Sequence, residues 1–362
     1  MAISAHYRCN GRVRDGDRGQ TRGRFLGGIC MFRKIGLASL ALLAFGIGSA
    51  QADPLKIRGA WVAPLANWSS VWMQKKDLAV HFGKSYEFEA VRYAGTPPMI
   101  TAIANNELEI GNLAFSTLPI AIGNAGMDDI RVISDDFQDG NAGYYSNEFD
   151  VLADGPIKKV EDLKGKVVAT NAAGSGVDVA MRAMLRKHGL EANRDYTIIE
   201  APFPAMRAML AEKKVDMIPA VRPFSLDPEL KKIGKKLFDM RDAIGLSQFV
   251  MWSARKPFID AHRAALVDFL EDSLRIVHWY LDPKNHDAVA DIASQITKQP
   301  ADHFGWLYTK NDYYRDPNML PNLDALQKNV DMTKDLGFIN ASFDVKAHSD
   351  LSLIQEAAKR LK

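Results

Sequence analysis

The chain has 362 residues, and its 46 lysines and arginines against 44 aspartates and glutamates give a formal net charge of +2. Residues 1–52 hold eight of the basic residues and two of the acidic ones, so residues 53–362 carry a net charge of about −4. That balance disfavours nucleic-acid binding by phosphate neutralisation. Both cysteines, Cys9 and Cys30, lie in the same N-terminal part. Residues 53–362 therefore offer no disulfide, thiolate nucleophile or thiolate metal ligand.

Residues 31–52 are typical of a secretory signal peptide. Arg33 and Lys34 form a short basic region, residues 35–48 are apolar, and Ala50-Gln51-Ala52 supplies the small residues that a signal peptidase requires. The apolar run is shorter than the roughly 20 residues needed to cross a bilayer. We therefore expect an export signal and not a membrane anchor.

The region before this signal, residues 1–30, contains six arginines and no apolar segment of its own. This composition indicates that translation starts at Met31; the alternative is one unusually long basic region of the same signal. We expect cleavage after Ala52, which leaves residues 53–362 as a soluble periplasmic protein. Its length is sufficient for two hydrophobic cores.

The elements predicted after the signal follow the order strand, helix, strand, helix, strand, and this order occurs twice. The first copy opens with a strand at 55–61, a helix near 68–82 and a strand at 88–93. The second opens with a strand at 166–170, a helix at 177–188 and a strand at 196–200. Such a unit forms a parallel sheet. Asp135 and Asp136, after an apparent strand end, are expected in a solvated turn.

A short internal repeat supports this duplication. Residues 97–110 and 204–217 align without gaps at an offset of 107, with a proline near each helix start and Glu109 paired with Asp216. The alternative is chance similarity between two amphipathic helices. We favour two similar α/β lobes that face each other across a cleft.

The fold class predicted is α/β, with two similar lobes of parallel-type mixed sheets flanked by helices. Extended segments at 144–153 and 246–254 are predicted as the two hinge crossings, so that lobe 1 is 53–148 plus 250–362 and lobe 2 is 149–249. After Pro257 the pattern becomes helical and is expected to pack on lobe 1. These helices are predicted at 259–280, 288–296, 323–336 and 351–361.

Several segments resemble the periplasmic substrate-binding proteins of ABC importers, in the sulfonate, nitrate and taurine group, which is related to the thiamine-pyrimidine-precursor synthase-like family. The similar segments are 93–96, 155–167, 173–176, 211–216 and 331–339, and the strongest is Ile157 to Val168. The resemblance implies the type II periplasmic binding-protein fold with two crossings. It also implies a monomer that binds a small anionic or heterocyclic solute and delivers it to an ABC permease.

In open α/β sheets, ligands bind beyond the carboxyl ends of the strands, and this rule gives the candidate site. Gly174-Ser175-Gly176 before a helix is the best anion site, and Arg222 at a strand end is a candidate bidentate anchor. The alternative for Arg222 is a surface pair with Asp227 or Glu229. The predicted ligand-binding residues are Asn67, Trp68, Gly95, Thr96, Phe115, Ser116, Gly174, Ser175, Gly176, Phe203, Arg222 and Trp252.

Other functions are less compatible with these residues. Val179 stands where a dinucleotide fingerprint needs a small residue, and no P-loop Lys-Ser/Thr follows the glycines, so nucleotide binding is disfavoured. We predict no catalytic residue, metal site or cofactor. An enzyme of the same fold is one alternative, disfavoured because residues 53–362 lack cysteine. A periplasmic sensor for a membrane receptor is the other. Sulfonates, aromatic carboxylates and nitrogen heterocycles all stay open as ligands.

Overall fold

The structure is a computed structural model, and it describes residues 53–361 of the chain. The predicted signal peptide and the region before it lie outside these described residues. Among residues 53–361, every helix is too short or too polar to cross a membrane.

The described residues form strands that assemble into two mixed sheets. The strands are β1 (Leu55–Trp61), β2 (Tyr86–Arg92), β3 (Gly111–Ala114), β4 (Ile130–Asp139), β5 (Glu148–Leu152), β6 (Val167–Thr170), β7 (Thr197–Glu200), β8 (Met217–Ala220), β9 (Gly234–Asp239) and β10 (Ser247–Arg255).

The two sheets have the same strand order. In the first sheet the order is β2-β1-β3-β10-β4, where β1 is parallel to β2 and β10 is antiparallel to both of its neighbours. The link between β1 and β3 is a parallel bridge from Gly59 to Ile110, with the Ala60 N–H donating to the Ile110 carbonyl at 3.0 Å. In the second sheet the order is β7-β6-β8-β5-β9, with β6 parallel to β7 and β8 and with β5 antiparallel. The prediction of two similar mixed sheets is confirmed.

Helices flank both sheets. They are α1 (Trp68–Val71), α2 (Pro97–Ala104), α3 (Thr117–Gly123), α4 (Gly176–Lys187), α5 (Phe203–Ala211), α6 (Pro228–Ile233), α7 (Met240–Ile244), α8 (Lys256–Leu281), α9 (His286–Thr297), α10 (Leu323–Asp335) and α11 (Ser352–Arg360). α8 packs on β2 and β10, α10 on β10, and α11 on β4 and α8. The C-terminal helices therefore cover the first sheet, as predicted.

The helical stretch predicted near 68–82 is helical from Trp68 to Leu78, but it is not one regular α-helix. α1 ends at Val71 and continues as a 3-10 helix, Trp72–Leu78, with a kink at Lys75. The tighter winding accompanies the burial of Trp72, whose indole N–H donates to Ser273 Oγ at 3.0 Å and whose ring stacks on Phe269. Side-chain packing decides the geometry here, whereas the sequence pattern alone favoured an α-helix.

The internal repeat has a structural counterpart in both sheets. Asn106 (φ 56°) and Lys213 (φ 57°), which are 107 positions apart, both adopt left-handed backbone after α2 and α5. The Glu109 carboxylate accepts a backbone N–H of β1 at 2.8 Å, and the Asp216 carboxylate accepts a backbone N–H of β6 at 2.9 Å. The two carboxylates therefore tie equivalent strands to equivalent turns.

The chain passes between the sheets twice. It leaves β4 of the first sheet and enters β5 of the second through residues 140–147, and it returns through Gly245 and Leu246 into β10. The predicted crossings overlap these connections, although most of their residues belong to β5 and β10 themselves. The predicted lobe boundaries stay a proposal.

Candidate functional site

A cavity lies between the two sheets, at the carboxyl ends of their parallel strands. About 460 Å³ of space lies within it, including the part open to solvent. Its walls combine residues that follow β1, β2, β6, β7 and β8 with residues of β3, β4 and β10. The lining residues are Val62, Ala63, Ala66, Asn67, Thr96, Asn112, Ala114, Phe137, Asn171, Ser175, Gly176, Val177, Phe203, Val221, Phe249, Val250 and Tyr313. Small-molecule sites of α/β proteins occur at this position.

The walls of this cavity are mainly apolar and aromatic. Its aromatic side chains are Phe137, Phe203, Phe249 and Tyr313, and its polar side chains other than the Tyr313 hydroxyl are Asn67, Thr96, Asn112, Asn171 and Ser175. Within the described residues, no lysine, arginine, histidine or carboxylate lines it. The walls therefore offer shape, ring faces and a few neutral hydrogen-bonding groups.

Five of the residues predicted for the site line the cavity. They are Asn67, Thr96, Ser175, Gly176 and Phe203. Four more, Gly95, Phe115, Ser116 and Gly174, lie directly behind its walls: a Cβ on the lining Gly176 would lie 3.3 Å from the Phe115 ring, and contacts of the other three are described below. The remaining three, Trp68, Arg222 and Trp252, do not line the cavity.

Sequence reasoning missed several lining residues. Asn171 directly follows β6, so the strand-end rule was sufficient to include it. Asn112, Phe137 and Phe249 lie within strands β3, β4 and β10. Whether a strand residue faces the cavity depends on the packing of both sheets, and the sequence carries no local signal for that. Tyr313 comes from an irregular segment after α9 and had no signal either.

A buried carboxylate, Asp136 of β4, organises one wall. It is fully buried and accepts Asn67 Nδ2 at 2.6 Å, Asn112 Nδ2 at 2.8 Å and the Trp68 N–H at 2.8 Å. Burial raises the pKa of Asp136, while these hydrogen bonds and the Arg315 guanidinium oppose the rise. The expected solvated turn at Asp135 and Asp136 is wrong, because both residues lie inside β4.

The orientation of the two asparagines follows from this carboxylate. Asn67 Oδ1 accepts the N–H groups of Val62 and Ala63, each at 3.0 Å. Asn112 Oδ1 is buried and has no hydrogen-bond partner among the described residues. Because Asn112 lines the cavity and its Nδ2 is held by Asp136, its oxygen is the atom left to accept a hydrogen bond.

The N-terminus of α4 forms part of the opposite wall. Ser175 is its N-cap: the Oγ accepts the Asp178 N–H at 3.4 Å and donates to Asn171 Oδ1 at 2.8 Å. The buried Asp178 carboxylate accepts the Gly174 N–H at 2.9 Å and pairs with Arg182 at 3.0 Å. Burial raises the pKa of Asp178, which Arg182 opposes. The predicted anion site therefore has a carboxylate directly beneath it.

Loops of the two sheets touch each other beside the cavity. Ser116 Oγ donates to the Gly174 carbonyl at 2.9 Å, and Asn171 Nδ2 donates to the Ala94 carbonyl at 3.2 Å. A Cβ on Gly95 would lie 2.8 Å from Asn171 Nδ2 and 2.9 Å from the Ala172 Cβ. The loops of the two sheets are therefore in contact beside the cavity.

Arg222 is buried behind the cavity wall and does not line it. Its Nε donates to the Asn311 carbonyl at 3.1 Å, its Nη1 donates to Ser225 Oγ at 2.6 Å, and its guanidinium lies 3.6 Å from the Tyr145 ring centre. The alternative of a surface pair is wrong, because the two acidic residues have other partners. These pairs are Arg207 with Asp227 at 2.8 Å and Lys232 with Glu229 at 2.7 Å.

The two predicted site tryptophans pack in the core of the first sheet. Trp252 is fully buried and stacks on Phe269 with ring centres 5.4 Å apart. Trp68 stacks on Tyr308 at 5.2 Å, and the Arg315 guanidinium lies 5.2 Å from its ring centre. Both side chains therefore stabilise the core by packing and do not line the cavity.

One cluster has the spacing of metal ligands. Donor atoms of His81, Asp268 and Glu271 lie within 4.8 Å of one another. Arg360 pairs with Asp268 at 2.8 Å, and Arg275 pairs with Glu271. Because these arginines already neutralise the carboxylates, the cluster is accounted for as an ion-pair network.

Comparison with known proteins gives the family. The model of the NMT1-like family matches residues 50–294, and this chain belongs to that family. A sequence search among curated proteins gave no significant match.

Solved structures share the fold. The alkanesulfonate-binding protein SsuA from Xanthomonas axonopodis pv. citri bound to MOPS matches with TM-score 0.65 and 16% identity, covering 82% of this chain and 98% of that one. The periplasmic nitrate-binding protein NrtA from Synechocystis PCC 6803 matches with TM-score 0.65 and 15% identity, covering 85% and 89%. The desulfurization enzyme DSZB matches with TM-score 0.61 and 11% identity, covering 85% and 100%. The predicted periplasmic binding-protein fold is confirmed.

Proposed function

We propose that this protein is the extracytoplasmic solute-binding component of an ABC importer. It captures a small organic solute between its two lobes and delivers it to a permease in the membrane. The observation that carries the proposal is the cavity at the strand ends, whose walls come from both sheets. A ligand that contacts both lobes favours their closure, and a closed form gives the permease a distinct surface to recognise.

The composition of the cavity supports binding over catalysis. General acid–base chemistry needs a group that exchanges protons near neutral pH, such as histidine or a carboxylate. In the described part of the chain, the cavity walls offer only amides, hydroxyls, rings and aliphatic groups. The likeness to a desulfurization enzyme leaves an enzyme as the outcome that the experiment below must separate from binding.

The direct experiment uses residues 53–362 produced without the signal. A thermal-shift screen of sulfonates, aromatic carboxylates and nitrogen heterocycles should give at least one compound that binds with one-to-one stoichiometry in calorimetry. Saturation with that compound should shrink the radius of gyration in X-ray scattering relative to the free protein. Mass spectrometry should recover the compound unchanged.

Two results would contradict the proposal. Product formation at a catalytic rate would identify an enzyme, and binding without any compaction would remove the closure mechanism. Export is tested separately with the full chain: N-terminal sequencing of the periplasmic fraction should begin at Asp53. Transport is tested by uptake of the identified compound in cells with and without the gene, because a sensor would leave uptake unchanged.

A further inference from the structure

We infer that the solute of this cavity is an uncharged, planar molecule that carries a hydrogen-bond donor beside an acceptor, as an amide or lactam does. The inference rests on the proposed function and names the chemical class that the same site takes. Three features of the cavity support it. They are a buried amide oxygen without a hydrogen-bond partner, walls without a cationic side chain, and backbone N–H groups at the start of α4.

The first feature is Asn112 Oδ1. Asn112 is fully buried, it lines the cavity, and its Nδ2 donates to Asp136 at 2.8 Å. A flip of the amide would place two acceptor oxygens against each other, so the carboxylate fixes the oxygen as the free atom. A sulfonate or carboxylate group has no proton to give to this oxygen, whereas an N–H or O–H group satisfies it.

The second feature is the charge around the cavity. Two buried carboxylates, Asp136 and Asp178, lie directly behind opposite walls. The nearby cations also lie behind the walls and do not line the cavity: Arg315 donates to the Asp312 carboxylate and the Ala66 carbonyl, and Arg222 donates to the Asn311 carbonyl. An anion in this cavity would be desolvated without a paired cation, which is costly in a buried site.

The third feature is the first turn of α4, a helix of 12 residues. Gly176 and Val177 occupy its first two positions and both line the cavity. The N–H groups of a first helical turn have no partner within the helix, and they donate to a ligand acceptor. A carbonyl oxygen on the solute can therefore accept a hydrogen bond from these N–H groups. The rings of Phe137, Phe203 and Phe249 can pack against a planar solute.

The test compares four probes that share one benzene ring: benzamide, N,N-dimethylbenzamide, benzoate and benzenesulfonate. Isothermal calorimetry with residues 53–362 should show the tightest binding for benzamide. Removing both donors in the dimethyl compound should weaken binding tenfold or more, because Asn112 Oδ1 then stays unsatisfied. Benzoate and benzenesulfonate should also bind at least tenfold more weakly than benzamide.

The Asn112→Leu variant locates the effect at one atom. In this variant benzamide and N,N-dimethylbenzamide should differ by less than threefold, whereas the control Asn124→Leu, at an exposed residue that does not line the cavity, should keep the full preference. The probe pair on the unchanged protein decides the question even where Asn112→Leu does not fold.

Failure of the inference and failure of the proposed function give different results. Preferred binding of benzenesulfonate or benzoate would overturn the inference while leaving a solute-binding protein. Binding of none of the four probes would also overturn it, and the scattering and uptake experiments would still decide the function. An unchanged preference in Asn112→Leu would move the donor contact to another residue.

Discussion

Arg222 illustrates how a buried side chain supports a site without lining it. Arg222 is 8% exposed, and its side chain joins the end of β8 in the second sheet to Asn311 of the segment that also carries Tyr313. The Arg222 N–H in turn donates to the Tyr313 hydroxyl at 3.0 Å. Tyr313 lines the cavity, so Arg222 holds a cavity residue from behind.

We expect Arg222→Met to lower the free energy of unfolding by about 3 kcal/mol, because hydrogen bonds of a buried charged group contribute about 1.5–3 kcal/mol each. Urea unfolding followed by tryptophan fluorescence measures this loss. The control Arg207→Met removes an exposed ion pair with Asp227 and should cost about 0.5 kcal/mol. A large fall in ligand affinity with unchanged stability would instead make Arg222 a direct ligand contact.

Two buried carboxyl groups predict a pH-dependent stability. Burial raises the pKa of Asp139 to about 7, although Ser146 Oγ and the Asn147 N–H donate to it. Burial also raises the pKa of Asp150 to about 7, and Glu148 adds to the rise. From about pH 4 to about pH 7 the folded protein keeps protons that the unfolded chain releases, so stability falls as pH rises through this window.

For each of the two carboxyl groups, the free energy of unfolding should fall by up to about 1.4 kcal/mol per pH unit. Asp139→Asn and Asp150→Asn should each remove one such contribution, which makes the variant's unfolding free energy less dependent on pH between 4 and 7. Unfolding curves at several pH values measure the slope. The exposed Asp154→Asn serves as a control with the parental slope, and an unaltered slope in Asp139→Asn would count against a buried protonated carboxyl there.

Single residues were harder to predict than the loops that hold them. The rule for strand ends predicted Thr96 and Ser175 for the site, and both line the cavity, because the end of a parallel strand is visible in the sequence. Asp136 was misplaced, since a carboxylate inside a strand is unusual unless side chains such as Asn67 and Asn112 satisfy it. Those partners come from other strands and loops, and only the folded chain brings them together.

At the scale of elements, the turns after α2 and α5 share a backbone conformation but differ in the residue that adopts it. Both turns need one residue with positive φ, at Asn106 and Lys213. Asparagine tolerates this conformation better than lysine does, because its short polar side chain can hydrogen-bond locally. The second turn is therefore the more strained one.

Lys213→Gly should raise the free energy of unfolding by about 0.5–1 kcal/mol, since glycine adopts positive φ without steric cost. Asn106→Gly should change it by less than about 0.5 kcal/mol, because asparagine already tolerates the turn. Chemical unfolding measures both. The neighbouring Lys214→Gly lacks the positive φ and should not stabilise, so equal stabilisation by both lysine substitutions would rule out backbone strain as the cause.

The elements themselves were largely predictable because their signals are local. Prolines near helix starts and the 107-residue repeat predicted the order of strands and helices in the two copies. The exception at residues 68–82 has a tertiary cause, the burial of Trp72. The pairing of β5 with the second sheet and β10 with the first also has no local signal, because both strands pair with partners distant in sequence.

At the scale of the whole molecule, closure depends on how near the loops of the two sheets can come. Gly95, after β2, lies where a side chain has no room: its Cβ would meet Asn171 Nδ2 at 2.8 Å and the Ala172 Cβ at 2.9 Å. The same two loops are joined by the hydrogen bond from Asn171 to the Ala94 carbonyl. Glycine at this position therefore permits the closed arrangement and does not serve an unusual backbone angle.

Gly95→Ala should consequently hinder closure more than it affects folding. We expect ligand affinity to fall about tenfold, as a loss of about 1.4 kcal/mol implies, and we expect the ligand-induced compaction in X-ray scattering to shrink. The matched control is Gly305→Ala, where the added Cβ meets no atom within 4 Å. It should keep both affinity and compaction. Since an alanine at Gly95 strains only the closed form, thermal stability without ligand should change less than affinity does; an equal loss of both would mean that the loop contact holds the fold together and does not govern closure.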